Sequence, residues 1–364
     1  MGACHANRLR ANLRAFKRHA ALSRSLHCRD GAILQPTLPL KTNFSMKSGP
    51  LPTITARSPR LKSAMTSITA TPLETRPPGG APVVAGIRRT WRRIDPRYLQ
   101  IFSLGALLIY GMASGLLNQT AVNAAAAAAG AFVAQAIGSA MIATRARLLS
   151  PLITTLSLCL LLRADAPWAM ALAGAIGVGS KFAFRWGDRH IFNPANAGVV
   201  AMLLLGATAL PGVAWSSPGQ WGSAFLLAVA LAGAGFLVTA RAARTDAALV
   251  FFLTFAGLAC ARALYLGDPL TIPFHRLQNG AFVLFAFFMI TDPMTTPNGR
   301  WSRALFSVLV AVLAHVLTFN FFIVDGIFYA LAAACLVRPL IEAFEPAKNY
   351  QWPLDACRAA QKPN

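Results

Sequence analysis

Up to about residue 97 the chain is a mixture of basic and small polar residues. From Tyr98 to about residue 341 it becomes a near-continuous series of apolar runs broken by short polar connections. Ten runs stand out, at roughly 98–117, 121–143, 148–162, 166–184, 195–210, 221–240, 247–263, 280–291, 304–319 and 326–341. A crossing of about 30 Å of hydrocarbon takes about 20 residues at 1.5 Å each, and most of the runs meet that with some trimming. The pattern predicts an all-α polytopic membrane protein of about ten transmembrane helices. The third and eighth runs are too short for a full crossing, and each is the third member of a set of five. The fifth and tenth runs open alike, on Asn193-Pro194-Ala195 and on Asp325-Gly326, both helix-starting signals. Five is odd, so two such sets must be inverted relative to one another.

Charge in the connections sets the orientation. With both termini cytoplasmic, the internal loops and tail collect Arg145, Arg147, Lys181, Arg185, Arg189, Arg241, Arg244, Arg300, Arg303, Arg338, Lys348, Arg358 and Lys362, and only Arg163, Arg262 and Arg276 face out. An error in one span would scramble that alternation downstream. The expected organisation is a basic, largely disordered tail over 1–97, an integral membrane domain over 98–345 and a cytoplasmic tail over 346–364. The tail reads as a targeting segment or as an over-called start with Met46 or Met65 as the true first residue. The bacterial inner membrane is the expected location.

Composition then removes several chemistries. Of 364 residues 55% are hydrophobic and 13% charged, with 34 Lys and Arg against 12 acids, a net charge of +22. Eighteen of the basic residues and three acids lie at or before Arg97. Beside apolar runs such basic flanks serve membrane insertion, so the lipid bilayer rather than nucleic acid is the expected partner. The six cysteines contain no CxxC pair, which speaks against an iron–sulfur or structural zinc site. His315 is the one histidine inside an apolar run, so a haem between two membrane histidines has no second ligand.

The chemistry-bearing positions sit at the ends of the short segments. Interrupted segments in corresponding places of two halves leave helix termini facing a central cavity. The plain alternative is that Pro167, Pro194 and Pro293 simply end helices at the membrane surface. Asp292, closing the eighth run, reads either as a cap or partner for Arg300 or Arg303, or as a polar group at a cofactor or ion site. If the two motifs share one core, Asn193-Pro194 and Thr291-Asp292-Pro293 converge. Asp292 then comes within hydrogen-bond reach of the backbone N–H groups of residues 193–197 or of the Asn193 side chain, and the helix starting at Pro194 turns its free N–H groups toward Asp292 or a bound anion.

Two motifs carry a resemblance: Arg189-His190-Ile191-Phe192-Asn193-Pro194-Ala195, opening the fifth run, and Phe287-Phe288-Met289-Ile290-Thr291-Asp292-Pro293-Met294-Thr295, closing the eighth. Together they resemble the family of the RnfD membrane subunits of Rnf complexes and the NqrB subunits of the sodium-pumping NADH:quinone oxidoreductase, over approximately residues 98–345. The resemblance implies ten helices in two inverted sets of five, similar to urea transporters, and a redox role with FMN or riboflavin as cofactor. In that family FMN is tethered to a threonine in an Asp-x-x-Ser-Gly-Ala-Thr type loop between the fifth and sixth segments. Here the connection from Pro211 to Gln220 is short and lacks that loop, and Gly206-Ala207-Thr208 is the partial match, making Thr208 the candidate tether. The shortened loop is similar to a stand-alone, RnfD-like branch of the family.

The cofactor-binding set expected from these motifs is Asn193, Pro194, Thr291, Asp292 and Thr208, with no catalytic or metal residues. The leading function is an electron-transport subunit, flavin-associated and ion-coupled, working with redox or assembly partner proteins; at most it is a non-autonomous part of an oxidoreductase. A small-solute transporter or channel of the same fold without redox chemistry, and an accessory membrane protein of a biosynthetic assembly, are the alternatives.

Overall fold

Local signals start most of the helices. Asp95 accepts the Arg97 N–H at 2.9 Å and Pro96 follows it, so α1 runs Pro96–Ala113. Thr120 caps α2, Ala121–Met141, through the Asn123 N–H. Asn193 with Pro194 opens α5, Pro194–Thr208, and Asn279 opens α9, Gly280–Leu284. A short polar side chain before the first turn accepts N–H groups that have no intrahelical partner, and proline fits where no N–H is needed. Between these lie α3, Leu149–Leu161, α4, Pro167–Ala183, α6, Ala224–Arg241, and α7, Thr245–Leu266, which stops at Gly267 with φ +74°. The last two are α10, Arg300–Phe319, and α11, Gly326–Phe344.

The computed structural model describes residues 95–350 and Trp352, apart from 116, 143–146 and 218–223, and for 224–230 it describes the backbone alone. The basic tail through residue 94 and the residues from 353 on, with Arg145, Arg358 and Lys362, lie outside the described residues. A helix overlaps each of the ten apolar runs. By length and composition four of the described helices are able to cross a membrane: α2, α7, α10 and α11. The chain is an integral membrane protein. The eighth run is broken as well as short, because α9 widens after Leu284 into a π-helical turn, Phe285–Met289. Such turns are rare and concentrate at functional sites.

Pure helix was the expectation, and four short strands depart from it. β1, Leu162–Ala164, continues α3 and pairs antiparallel with β4, Val213–Trp215, in the register Leu162 to Trp215 and Ala164 to Val213. β2, Arg185–Trp186, and β3, Arg189–His190, form a hairpin around Gly187 at φ +60°. A further helix, α8, Thr271–Leu277, fills the connection before α9.

Packing joins α2 to α3 and α4, α4 to α5, α1 to α3, α7 to α10, α10 to α11, and α9 with its π turn to α6 and α7. Between α1–α5 and α6–α11, α1 packs on α6 and α5 on α11. The core around the π turn is aromatic: Phe251, Phe255, Phe285, Phe306 and Phe328 are fully buried, with Phe282 4.9 Å from Phe255 and Phe285 5.9 Å from Phe328, ring centre to ring centre. His315 packs beside Phe319 at 4.6 Å.

Candidate functional site

The stretch Thr291–Gly299, which follows the π turn, is non-helical and contains Pro293 and Pro297. Thr291 Oγ1 donates back to Phe287 O at 2.7 Å, and Thr296 Oγ1 donates to Ile290 O and Asp292 O at 2.7 Å each. The carbonyls of Pro293, Met294, Thr296, Pro297 and Asn298 take donors from outside the stretch, as irregular backbone in a membrane protein must. Four arginines supply them. Arg189 donates to Pro293 O and Met294 O at 3.0 Å each and to Thr296 O at 2.5 Å. Arg338, fully buried on α11, donates to Met294 O at 2.9 Å. Arg244 reaches Pro297 O at 2.6 Å and Arg303 reaches Asn298 O at 2.6 Å.

Acids from other elements hold these cations: Arg189 pairs with Glu342 at 2.6 Å and Arg303 with Asp246 at 2.6 Å. Burial first, and then the positive charges of Arg303 and Arg189, lower the Arg244 pKa to about 10. In the sequence all four arginines count as loop charges that set orientation, Arg303 is also weighed as a partner for Asp292, and Arg189 opens one of the two motifs. They are buried hydrogen-bond donors that fix the Thr-Asp-Pro motif. Arginine suits the task because its five N–H groups form a rigid planar fork.

With the stretch held, Asp292 meets the start of α5. Asn193 Nδ2 donates to Met289 O at 3.2 Å and lies 3.5 Å from Asp292 Oδ2. Two details differ from the expected geometry. The first N–H groups of α5 are taken by Asn193 itself, whose Oδ1 accepts from Ala195 at 3.0 Å and Asn196 at 3.2 Å, so they are not presented to Asp292. Nor is Asp292 a partner of Arg300 or Arg303. Its Oδ1 accepts the Met294 N–H at 3.1 Å and its Oδ2 faces His190 Nε2 at 3.6 Å, an electrostatic contact longer than a hydrogen bond. Burial pushes the Asp292 carboxyl up, but His190, the Met294 N–H and Arg189 outweigh it and hold the group below its ordinary value of 3.8.

Asn193, Pro194, Thr291 and Asp292 all line one cavity of about 280 Å³, with Phe287, Phe288 and Met289 also in its lining. That is close to the lower end of the range for small-molecule sites, about 300–1,000 Å³. His190 Nε2 is buried at its edge without a hydrogen-bond partner among the described residues. Thr208 is not part of this constellation. It is exposed at the far end of α5, its Oγ1 donating to Leu204 O at 3.0 Å, roughly 20 Å of helix from Asn193.

Asn193 is both cap and acceptor-edge donor, so its replacement separates two effects. Asn193→Asp keeps the cap but sets a second carboxylate beside Asp292. Mutual repulsion raises the pKa of the new pair in the folded state, so its penalty is present at pH 8 and relieved as pH falls. The expected result is a thermal midpoint below wild type at pH 8 with the gap narrowing by pH 5. In the wild type Asp292, with its lowered pKa, contributes its stabilisation throughout that window and loses it only as pH falls below about 3.8.

Comparison with known proteins places the sequence of this region. Residues 208–351 match the NQR2, RnfD, RnfE family, a span that contains Thr291 and Asp292 and begins after Asn193. The chain is 33% identical over 144 residues to the RnfD subunit of the ion-translocating oxidoreductase complex of Salmonella enteritidis PT4, covering 39% of this chain and 38% of that protein. It is 32% identical over 120 residues to the protein of the same name from Escherichia coli O1:K1 / APEC, 33% of this chain and 34% of that one. The matched part of the chain thus spans little more than a third of these relatives.

Proposed function

We propose that this chain, whose residues 208–351 match the NQR2, RnfD, RnfE family, is a membrane-embedded electron-transport subunit that holds a flavin without a covalent tether in the cavity between Asn193 and Asp292. The observation that carries this reading is the convergence of the two motifs on one cavity beside a buried His190 Nε2 that makes no hydrogen bond among the described residues. A buried polar atom left without a hydrogen bond beside a cavity is a group that a ligand completes. The residues fit a flavin: Asp292 would accept from a ring N–H, the Asn193 amide and His190 would serve its polar edge, and Phe287, Phe288 and Met289 would offer it apolar surface. A bound flavin supplies reversible electron transfer, while the protein binds, orients and shields it from water. Thr208, at the far end of α5, is too distant to tether the same group.

The relatives are named as parts of an ion-translocating oxidoreductase complex, which extends the proposal to partner redox proteins and to ion coupling, with the chain acting as a non-autonomous part of the assembly in a bacterial inner membrane. Two inverted sets of five helices, with both termini cytoplasmic, are part of the same reading. Their support is the recurrence of packing: α2 on α4 and α7 on α10, α4 on α5 and α10 on α11, α1 on α3 and α6 on α9.

Purified protein is expected to release one flavin per chain on denaturation, recoverable without proteolysis. Asp292→Ala is expected to lower that occupancy at least about tenfold, the effect of one charge-assisted hydrogen bond, and Thr208→Ala to leave it unchanged. A colourless wild-type protein that takes up no added flavin would overturn the reading.

A further inference from the structure

A second cavity, of about 370 Å³, lies toward the other end of α7. Arg244, just before α7, reaches Pro297 O beside the Thr-Asp-Pro motif. Arg262 lies on α7 itself, about 27 Å further along at 1.5 Å per residue. That rise is close to the thickness of the hydrocarbon, about 30 Å, so the two arginines mark opposite membrane faces and Arg262 stands at headgroup level. Phe255, Phe282, Phe319 and Phe328 line the cavity. The guanidiniums of Arg262 and of Arg276, on α8, both lie over the Phe319 ring, 4.8 and 5.1 Å from its centre. Arg276 has no hydrogen bond and no ion pair among the described residues, and burial lowers its pKa. Arg262 has Asp268 at 3.9 Å, too long for a hydrogen bond. Thr318, 6% exposed, is also in the lining, and its buried Oγ1 has no partner among the described residues. Two like charges over one ring and a buried hydroxyl without a bond are groups that an acceptor-rich ligand completes.

The acids decide which ligand fits. Asp268 and Asp325 line the same cavity, so a purely anionic group would meet two carboxylates as well as two guanidiniums. A phosphate with an ammonium beside it matches both signs. The rest of the ligand is apolar, because the rings leave it no polar partners. Ile272 and Val324 belong to the lining and are themselves exposed, so apolar surface continues from the cavity to the outside. We propose that this cavity binds a zwitterionic phospholipid of the phosphatidylethanolamine type, with its phosphate on Arg262 and Arg276, its ammonium on Asp268 and its apolar part against the aromatic lining. A primary ammonium brings three N–H donors to the carboxylate, and a quaternary one brings none. The site is separate from the cavity at Asn193 and Asp292 and does not depend on what that cavity holds.

The test is native mass spectrometry of the full-length protein, delipidated in detergent and offered equal amounts of phosphatidylethanolamine, phosphatidylcholine and phosphatidylglycerol at neutral pH. Wild type is expected to retain one phosphatidylethanolamine per chain, preferred about fivefold or more over the other two. Arg276→Gln is expected to lower retention of all three lipids. Asp268→Asn is expected to abolish the preference and to raise the share of phosphatidylglycerol, a change of headgroup that a merely structural role for Asp268 would not produce. Thr318→Val replaces an unpartnered hydroxyl by a methyl of the same size, so it is expected to keep the thermal midpoint of the lipid-free protein while lowering phosphatidylethanolamine retention. Asp268 is exposed at the surface, so Asp268→Asn carries the test if Arg276→Gln does not fold. Equal retention of the three lipids by wild type, or a preference that survives Asp268→Asn, would overturn the proposal. Displacement of the lipid by inorganic phosphate would overturn it too, and would assign the two arginines to a soluble phosphate.

Discussion

Arg189→Ala is expected to cost about 3–5 kcal/mol of stability, the range for removing one member of a buried ion pair. The side chain makes four hydrogen bonds, three to the carbonyls of Pro293, Met294 and Thr296 and one to Glu342 at 2.6 Å. Alanine leaves all four acceptors without that donor, and among the described residues Glu342 keeps the longer contact to Arg338, at 3.9 Å. A carbonyl left unmade away from water carries its full desolvation cost. The measurement is the temperature at which the detergent-solubilised protein loses its monodisperse chromatographic peak, expected to fall by roughly 10 °C or more. Arg189→Lys is expected to recover little, because a single ammonium cannot reach Pro293, Thr296 and Glu342 together from one planar group. A loss as small as that of an exposed arginine, Arg185→Ala, would show that the stretch holds its shape without the clamp. Ligand retention is expected to fall with stability, since the clamp is what sets Asp292 opposite Asn193.

Gly130→Ala is expected to destabilise, against the intrinsic preference of a helix. Alanine is the better helix former by about 1 kcal/mol, so chain propensity alone predicts a gain. In the fold α2 and α4 cross so closely that a Cβ on Gly130 would overlap Ala171 O and lie 2.7 Å from the Ala171 carbonyl carbon. On the facing helix a Cβ on Gly174 would overlap Ala127 O and lie 2.9 Å from Ala131 N. The obstacles are backbone atoms, so neither can rotate away and the helices must separate. Overpacking of this kind costs about 1–3 kcal/mol, and small residues at such crossings are what allow membrane helices to approach. Gly179→Ala on α4 is the matched control, because nothing lies within 4 Å of its would-be Cβ. The expected pattern is a lowered thermal midpoint for Gly130→Ala and Gly174→Ala and an equal or raised one for Gly179→Ala. Three equal responses would mean that the crossing is not close.

What the sequence by itself determined was local. A helix overlaps each of the ten apolar runs, because apolar length and a capping residue are properties of consecutive positions: Asn193-Pro194 marks a start that the chain adopts, and α11 begins at Gly326 although the Asp325 side chain makes no cap hydrogen bond. The pairing of the Asn193 and Asp292 motifs was legible too, since both are polar interruptions at run ends. What only tertiary structure decided is who satisfies whom. Arg189 and Thr296 are 107 positions apart, and no periodicity announces that a basic loop residue will end buried against a distant carbonyl. Counted as charges, Arg189, Arg244, Arg303 and Arg338 spoke of orientation, and none announced the carbonyls that each finds in a proline-bearing stretch once folded. The β1–β4 pairing is of the same kind, tying the end of α3 to the connection after α5 across about fifty positions. Thr208 shows the converse, a triplet that looked like part of the site and that one straight helix carries to its opposite end. Backbone groups are identical in every residue, so the sequence shows which segments will have unpaired ones but not where in space their donors arrive.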